Sequence, residues 1–454
     1  MTDAEGQRPV PHAEGERPVT HAEGARPVPR SGGGRLKPRF EPLARGVQRV
    51  TAHALGPYQT AIVRIGFAAT WLLFLLRELP HRRELYGPDG PWSWDMARQL
   101  ISANDAFTAL MWSDGRVWFE IVYFLAIVSS ALLLVGWRTR TMSVLFMIGV
   151  LSLQNRSIFM GDGGDNVIHL MAIYLVFTRC GQVWSLDARR AARAGGVDGA
   201  GASTRDDRVG PVLWWVLGLA LSVVTFMGEL SGFWLLFFWG LWLAHGLWWV
   251  VVRRAPLGEP RLLLDVVANL AHNAALLVIM VEACLIYATA GWYKIQGSRW
   301  QDGTAVYYPL QLDYFSPWPA LADLLTSHGL LIMLVTYGTV AVQVAFPFTL
   351  FNRRVKNVLL AAMIFEHAVI AVVLGLPFFS LAMIAADAVF LPTTFLRRLG
   401  GWVARARGGL ISRTPLSRVP RLPRLSRGDT SPGTRGEERH AQEAAEDARV
   451  GFGA

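Results

Sequence analysis

The sequence predicts an all-α, polytopic membrane bundle of about ten transmembrane helices with both termini cytoplasmic, and three observations carry this reading. Only 17% of the 454 residues are charged while 52% are hydrophobic, against roughly 25% charged in an average soluble domain. The apolar residues also come in runs: residues 210–252 hold seven tryptophans and a single charge, Glu229, a pattern no water-exposed helix sustains. Finally, 41 of the 44 basic residues are arginine, gathered in the tails and in short connections between apolar runs. That distribution marks membrane sidedness rather than a nucleic-acid footprint, so the partner implied by the formal charge of +10 is the lipid bilayer.

Taken in order, residues 1–57 read as a disordered cytoplasmic arm. A nonapeptide at residues 4–12 recurs at 13–21 and 22–30, with Pro, Gly and charge in every copy and nothing apolar to bury. It has no apolar segment of the signal-peptide kind. Residues 58–398 form the transmembrane domain. Ten segments there approach the 17–25 apolar residues that cross a bilayer: 59–79, 117–137, 141–159, 165–184, 211–228, 232–252, 268–293, 329–351, 355–376 and 377–396. The pair at 211–254 reads as an added unit, either two spans or one kinked, re-entrant helix around residues 229–232. Residues 399–454 form a basic, low-complexity cytoplasmic tail. The two cysteines, Cys180 and Cys284, lie at or inside apolar spans, so neither a disulfide framework nor a metal site is expected.

With the N-terminus inside, 35 of the 44 basic residues fall in cytoplasmic segments and eight in outer loops; without the two tails the ratio is still 14 to 8. The expectation is therefore a multi-pass plasma-membrane protein with both ends inside. Two outer connections are long. Residues 78–116 hold Trp92 and Trp94 and a stretch from Leu100 to Trp112 suited to an amphipathic interfacial helix. Residues 294–328 are rich in aromatics.

Ionisable groups inside spans are costly and are default functional candidates, the bland alternative being polar glue between helices. They are Arg64, His169, His245, Asp265, His272, Glu282, Glu366, His367 and Asp387, with Lys294 at one span end. Lys294 stands out, being one of only three lysines in an arginine-rich chain. An arginine does not give up its proton, whereas a desolvated lysine can serve as a base. Asp165 or Asn166 reads as the N-cap of a helix starting near residue 165. The neighbours Glu366 and His367 project in different directions, so their partners must come from other helices.

These residues carry a resemblance. The run Gly136-Trp137-Arg138-Thr139-Arg140, the stretch 152–166, the spaced pattern Tyr287, Ala290, Gly291, Lys294, Gly297, Trp300, Gly303, and His367 ahead of Phe378-Phe379-Ser380 together resemble the HTTM family. That is the membrane domain shared with vitamin K-dependent gamma-carboxylase and the sporulation-delaying protein B group. The resemblance implies an enzyme acting on reduced vitamin K or menaquinol at an extracytoplasmic-side cavity, a carboxylase- or epoxidase-like lyase. Lys294 is then the candidate base, with His367 and Glu366 in the catalytic group. Tyr287, Gly291, Trp300, Glu282, Asn166 and His169 are the expected cofactor-binding residues. The carboxylases carry an Asn-His pair where this chain has Asn166-Val167, with His169 beyond it. The protein B resemblance implies an alternative, a non-catalytic membrane partner or maturation factor for a secreted peptide. A proton-coupled transporter using Glu282, Glu366 and Asp387 is a third reading.

Overall fold

The structure, a computed structural model, describes residues 41–193 and 208–413, with side chains to residue 407. Every described element is helical. The principal helices are α1 Glu41–Ala52, α2 Pro57–Glu78, α3 Trp94–Asn104, α4 Arg116–Val135, α5 Thr139–Arg156, α6 Gly163–Val176, α7 Val209–Phe226, α8 Gly232–Arg254, α9 Glu259–Gln296, α10 Pro319–Thr326, α11 Gly329–Ala345, α12 Arg353–Val373, α13 Pro377–Asp387 and α14 Thr393–Arg413. Seven of them, α2, α4, α7, α8, α9, α12 and α11 with its 3-10 extension to Thr349, are long and apolar enough to cross a membrane. Counting the bent α13–α14 pair as one more span brings the number to eight.

The protein interior sits where α2, α4, α5, α6 and α13 meet. Phe67, Trp71, Tyr123, Phe146, Met171 and Ala386 are essentially sealed there. Two of these helices are short for their position: α6 has 14 residues and α13 only 11, so at 1.5 Å per residue neither covers a ~30 Å hydrocarbon core. Small residues set the spacing. A Cβ on Gly149 would come within 2.8 Å of the Ala126 side chain, one on Gly66 within 2.6 Å of Ala385, and one on Gly164 within 2.7 Å of the Phe379 backbone. These glycines let α5 meet α4, and α13 meet both α2 and α6, nearly backbone to backbone.

Several intramembrane charges are structural. Arg64, fully buried on α2, donates to the carbonyls of Leu133 and of Leu134 at 2.8 Å, Cys180 at 3.3 Å and Trp184 at 2.9 Å. The first two are among the last carbonyls of α4, past the end of its regular ladder; that of Leu133 also accepts the Gly136 N–H at 3.0 Å. Asp187 accepts from the backbone N–H groups of Arg138 and Thr139 at 2.9 and 2.7 Å, capping the start of α5. His272 and Asn269 on α9 bind Leu55 and Thr51 carbonyls at 2.7 and 2.9 Å.

Particular expectations change. The arm expected to be disordered through residue 57 is helical over α1, whose C-terminal carbonyls are held by α9; residues 1–40, with the nonapeptides, lie outside the described residues. The tail expected from residue 399 continues α14 to Arg413. The N-cap of α6 is Asp162, not Asp165 or Asn166, with Asp165 three residues on returning the bond in a capping box. The stretch 100–112 is not one interfacial helix: α3 stops at Asn104, Asp105 takes φ +51°, and Phe107 to Leu110 turn inward and are buried. The segment 377–396 breaks at Leu391-Pro392 and α14 departs at 117° from α13, because proline offers no N–H to continue the ladder. The pair at 211–254 is two separate helices, α7 and α8. Trp214 and Trp242 stack at 4.0 Å, each donating at 3.0 Å to the other's carbonyl, and each ring fills the space over a glycine on the opposite helix, Gly246 and Gly218.

Candidate functional site

The candidate site is a polar core shared by α9, α11, α12 and α13. Tyr287 and Lys294 are seven residues apart on α9, so they face the same way about 10 Å apart along the helix. Gly291 lies between them. A Cβ there would come within 2.6 Å of the Val344 side chain, so the glycine lets α11 press against α9 and carries the neighbouring Gln343 to Lys294. The position assigned to a ligand contact by resemblance thus works in helix packing.

Two hydrogen-bonded layers result. In the layer nearer the α9 C-terminus, Lys294 Nζ donates to Gln343 Oε1 at 2.6 Å and Gln343 Nε2 donates to Glu366 Oε1 at 2.7 Å. Thr339, one turn before Gln343, gives Glu366 a further hydrogen bond. A neutral amide therefore bridges an ammonium and a carboxylate drawn from three helices. Trp300 lies across the ammonium, 5.2 Å from Nζ to the ring centre, and is held there by the turn that follows. Arg299 pairs with Asp302 at 3.5 Å, Asp302 accepts from the Thr304 backbone at 3.0 Å and from its hydroxyl, and Gly303 takes φ +77°, a left-handed conformation that glycine adopts freely. Outside the membrane, the Asp302 carboxyl is held below the usual range, first by the Thr304 hydroxyl.

In the second layer, Tyr287 Oη donates to Asp387 Oδ2 at 3.0 Å and lies 3.0 Å from His367 Nε2. A phenol with one proton serves both neighbours when His367 carries its proton on Nε2 and donates to the tyrosine oxygen. All three side chains are buried, Asp387 completely. Since Glu366 and His367 are adjacent on α12 and diverge as their helical positions require, the two layers join through that one turn. Three buried polar atoms around the second layer have no hydrogen-bond partner among the described residues: His367 Nδ1, Asp387 Oδ1 and Ser380 Oγ. Ser380 and Asp387 share a face of α13, seven residues apart.

The other expected site residues lie elsewhere. Glu282 is half-buried and interacts electrostatically with Tyr174 of α6, not with Lys294. His169 and Asn166 line a separate cavity of about 380 Å³ with Trp71, Tyr86, Gln154 and Asp165. There His169 Nδ1 is 3.0 Å from Gln154 Oε1, and Gln154 in turn donates to the Asp165 carbonyl at 3.0 Å. Phe379 separates the two places: its backbone abuts Gly164 at the head of α6, and its ring lies 5.7 Å from the His367 ring. Gln343 and Thr339 were not singled out from the sequence, and Ser380 figured there only within the Phe378-Phe379-Ser380 motif. Gln343 was visible as an amide in the middle of an apolar run, a placement that costs roughly 2–7 kcal/mol when unpaired.

No family model matches the chain, and no solved structure matches it. A protein of Bacillus subtilis (strain 168), described as the uncharacterized protein YitO, is 29% identical over 133 residues, which covers 27% of this chain and 43% of that protein. The match therefore spans less than half the relative's length.

Proposed function

We propose that the chain is a plasma-membrane enzyme of the HTTM kind that deprotonates a lipid-soluble hydroquinone, with Lys294 as the base. The supporting observation is the amide-bridged Lys294–Gln343–Glu366 chain beside three orphaned buried polar atoms. Those orphans suit a hydroxyl-bearing aromatic head, since each would accept or donate one hydrogen bond to it. Reduced vitamin K or menaquinol would supply an acidic ring hydroxyl and the reducing power for oxygenation. Lys294, in its neutral amine form and still donating to Gln343, would take the hydroxyl proton and become the ammonium. Glu366 would balance the resulting ammonium through Gln343, and Trp300 would screen it from water. His367 and Tyr287 would orient the head while Asp387 fixes the tyrosine. In this reading the ten-segment topology holds, α5, α6 and α13 being short central members, and the site opens on the extracytoplasmic side.

Purified protein supplied with reduced menaquinone and oxygen is expected to form quinone epoxide and water. Lys294→Ala and Lys294→Arg should both abolish the reaction, because arginine cannot act as the base. Activity retained in Lys294→Arg but lost in Lys294→Ala would sink the base assignment and leave a structural ion pair.

A second reading rests on a different feature. Tyr314, Trp318 and Leu312 in the connection after α9 are 83%, 58% and 53% exposed, an aromatic surface suited to a secreted peptide. In a partner protein of this kind, peptide binding would be lost on Tyr314→Ser while Lys294→Ala leaves it unchanged.

A further inference from the structure

At the opposite end of α9 from Lys294 lies a feature that the proposed chemistry does not use. A cavity of about 1480 Å³ separates the α7–α8 pair from α4 and α5. The pair meets the bundle at both of its ends. At one end Phe107 packs against Trp234 and Phe238, each at 5.1 Å. At the other, Trp248 is surrounded by the guanidinium groups of Arg140, Arg261 and Arg179 at 3.9, 4.8 and 5.8 Å. Between these contacts the walls are apolar side chains such as Ile121, Leu125, Val144, Leu217 and Leu221.

The charge is confined to the Trp248 end. Six arginines and two aspartates line the cavity, and both carboxylates are already engaged. Asp265 holds Arg179 at 3.2 Å and Arg261 at 2.7 Å. Asp187 caps α5 and pairs with Arg190 at 3.7 Å. Arg140 stacks on Trp248 and has no carboxylate partner among the described residues. The volume exceeds the ~300–1,000 Å³ of sites for drug-sized ligands.

We infer that this crevice is a binding site for an anionic phospholipid, with its phosphate among Arg140, Arg179 and Arg261 and its acyl chains along α4, α5, α7 and α8. Basic pockets between transmembrane helices hold acidic head groups in this way. The apolar length argues for a whole lipid over a free phosphate, and Arg140, Arg179 and Arg261 gathered around the single carboxylate of Asp265 argue against a zwitterionic one. The lipid would serve as the packing between the added pair and the bundle. Only 6% of the α7 span and 17% of the α8 span are buried by the chain itself.

The experiment uses full-length delipidated protein in detergent, with native mass spectrometry and thermal melting as readouts. Dioleoyl phosphatidylglycerol should be retained and should raise the Tm. Dioleoyl phosphatidylcholine and inorganic phosphate at equal concentration should do neither. Arg140→Gln should weaken retention about fivefold, as expected for one basic contact, and Arg140→Lys should restore most of it. Leu125→Trp, which fills the apolar part, should weaken retention with the arginines intact, and so tests the site even if Arg140→Gln folds poorly. Equal retention of the two lipids, full stabilisation by phosphate alone, or unchanged retention in both Arg140→Gln and Leu125→Trp would overturn the proposal. So would retention that appears only after residues 194–207 are replaced by a Gly-Ser linker.

Discussion

Arg64 and Lys294 look alike in the sequence, each a lone cation at an apolar span, yet their surroundings differ in kind. Arg64 meets only backbone carbonyls, and its planar fork of five donors serves several at once. Arg64→Leu should therefore cost about 3 kcal/mol or more, since buried acceptors lose charge-assisted bonds together; a detergent melt checks it, and a shift within error would refute the latch. Lys294 meets side chains, so its energy is pairwise. Lys294→Met and Glu366→Leu should each destabilise, while the double variant loses less than their sum, with a coupling of about 0.5–3 kcal/mol. Strict additivity in that cycle would mean that Gln343 does not connect them. Asp302 gives a pH signature. Its carboxyl is depressed in the fold, so its contribution is present above the unfolded value of about 3.9 and is lost as the pH falls through the lower folded value. Thr304→Val should raise the Asp302 pKa toward about 3.9 in a carbon NMR titration. The sequence revealed which residues were costly to bury. It did not reveal their partners, because Tyr287 finds Asp387 one hundred residues away, and nothing local encodes that distance.

Among elements, the tight approach of α9 and α11 depends on Gly291 alone at its contact with Val344. Gly291→Val should push α11 outward, costing about 1–3 kcal/mol and parting Gln343 from Lys294. A cysteine cross-link designed between positions 294 and 343 should form readily on the parent background and poorly on the valine variant. Helix existence was legible in nearly every apolar run, but the expected segment 377–396 ran straight through the stop at Pro392. What hydropathy hid was the difference between a helix that faces lipid and one that faces protein. Segments 141–159, 165–184 and 377–396 read like the others, but Arg156, Gln154 and Asp387 on them are satisfied inside the bundle or buried in it. Their helices can be short because other helices cover most of their surface.

For the whole molecule, the topology proposed from the arginine distribution puts the α9 C-terminus and the exposed aromatic loop outside and the Arg253–Arg261 turn inside. In intact cells, a cysteine introduced at Tyr314 should react with a membrane-impermeant maleimide, and one at Arg254 only after permeabilisation. The reverse pattern would invert the topology and remove the extracytoplasmic site. Composition alone pointed to membrane residence, and the division of cations supports a sidedness that this labelling tests. The α7–α8 pair was legible as two apolar runs, but the crevice it encloses was not, since voids arise from how far apart surfaces settle.

The broken segment after α13 has a mechanical side. Lys356 on α12 donates to the Phe390 carbonyl at 2.5 Å, and Gln59 on α2 donates to the Leu391 carbonyl and to Thr393, each at 2.9 Å. The corner is thus riveted from two directions by helices that do not belong to it. A pull or push on the C-terminal tail is carried into α2 and α12 at that corner, and Asp387, one turn before it, is shielded from the load. Whatever engages the tail can tether the protein without tugging on the tyrosine–histidine–aspartate cluster.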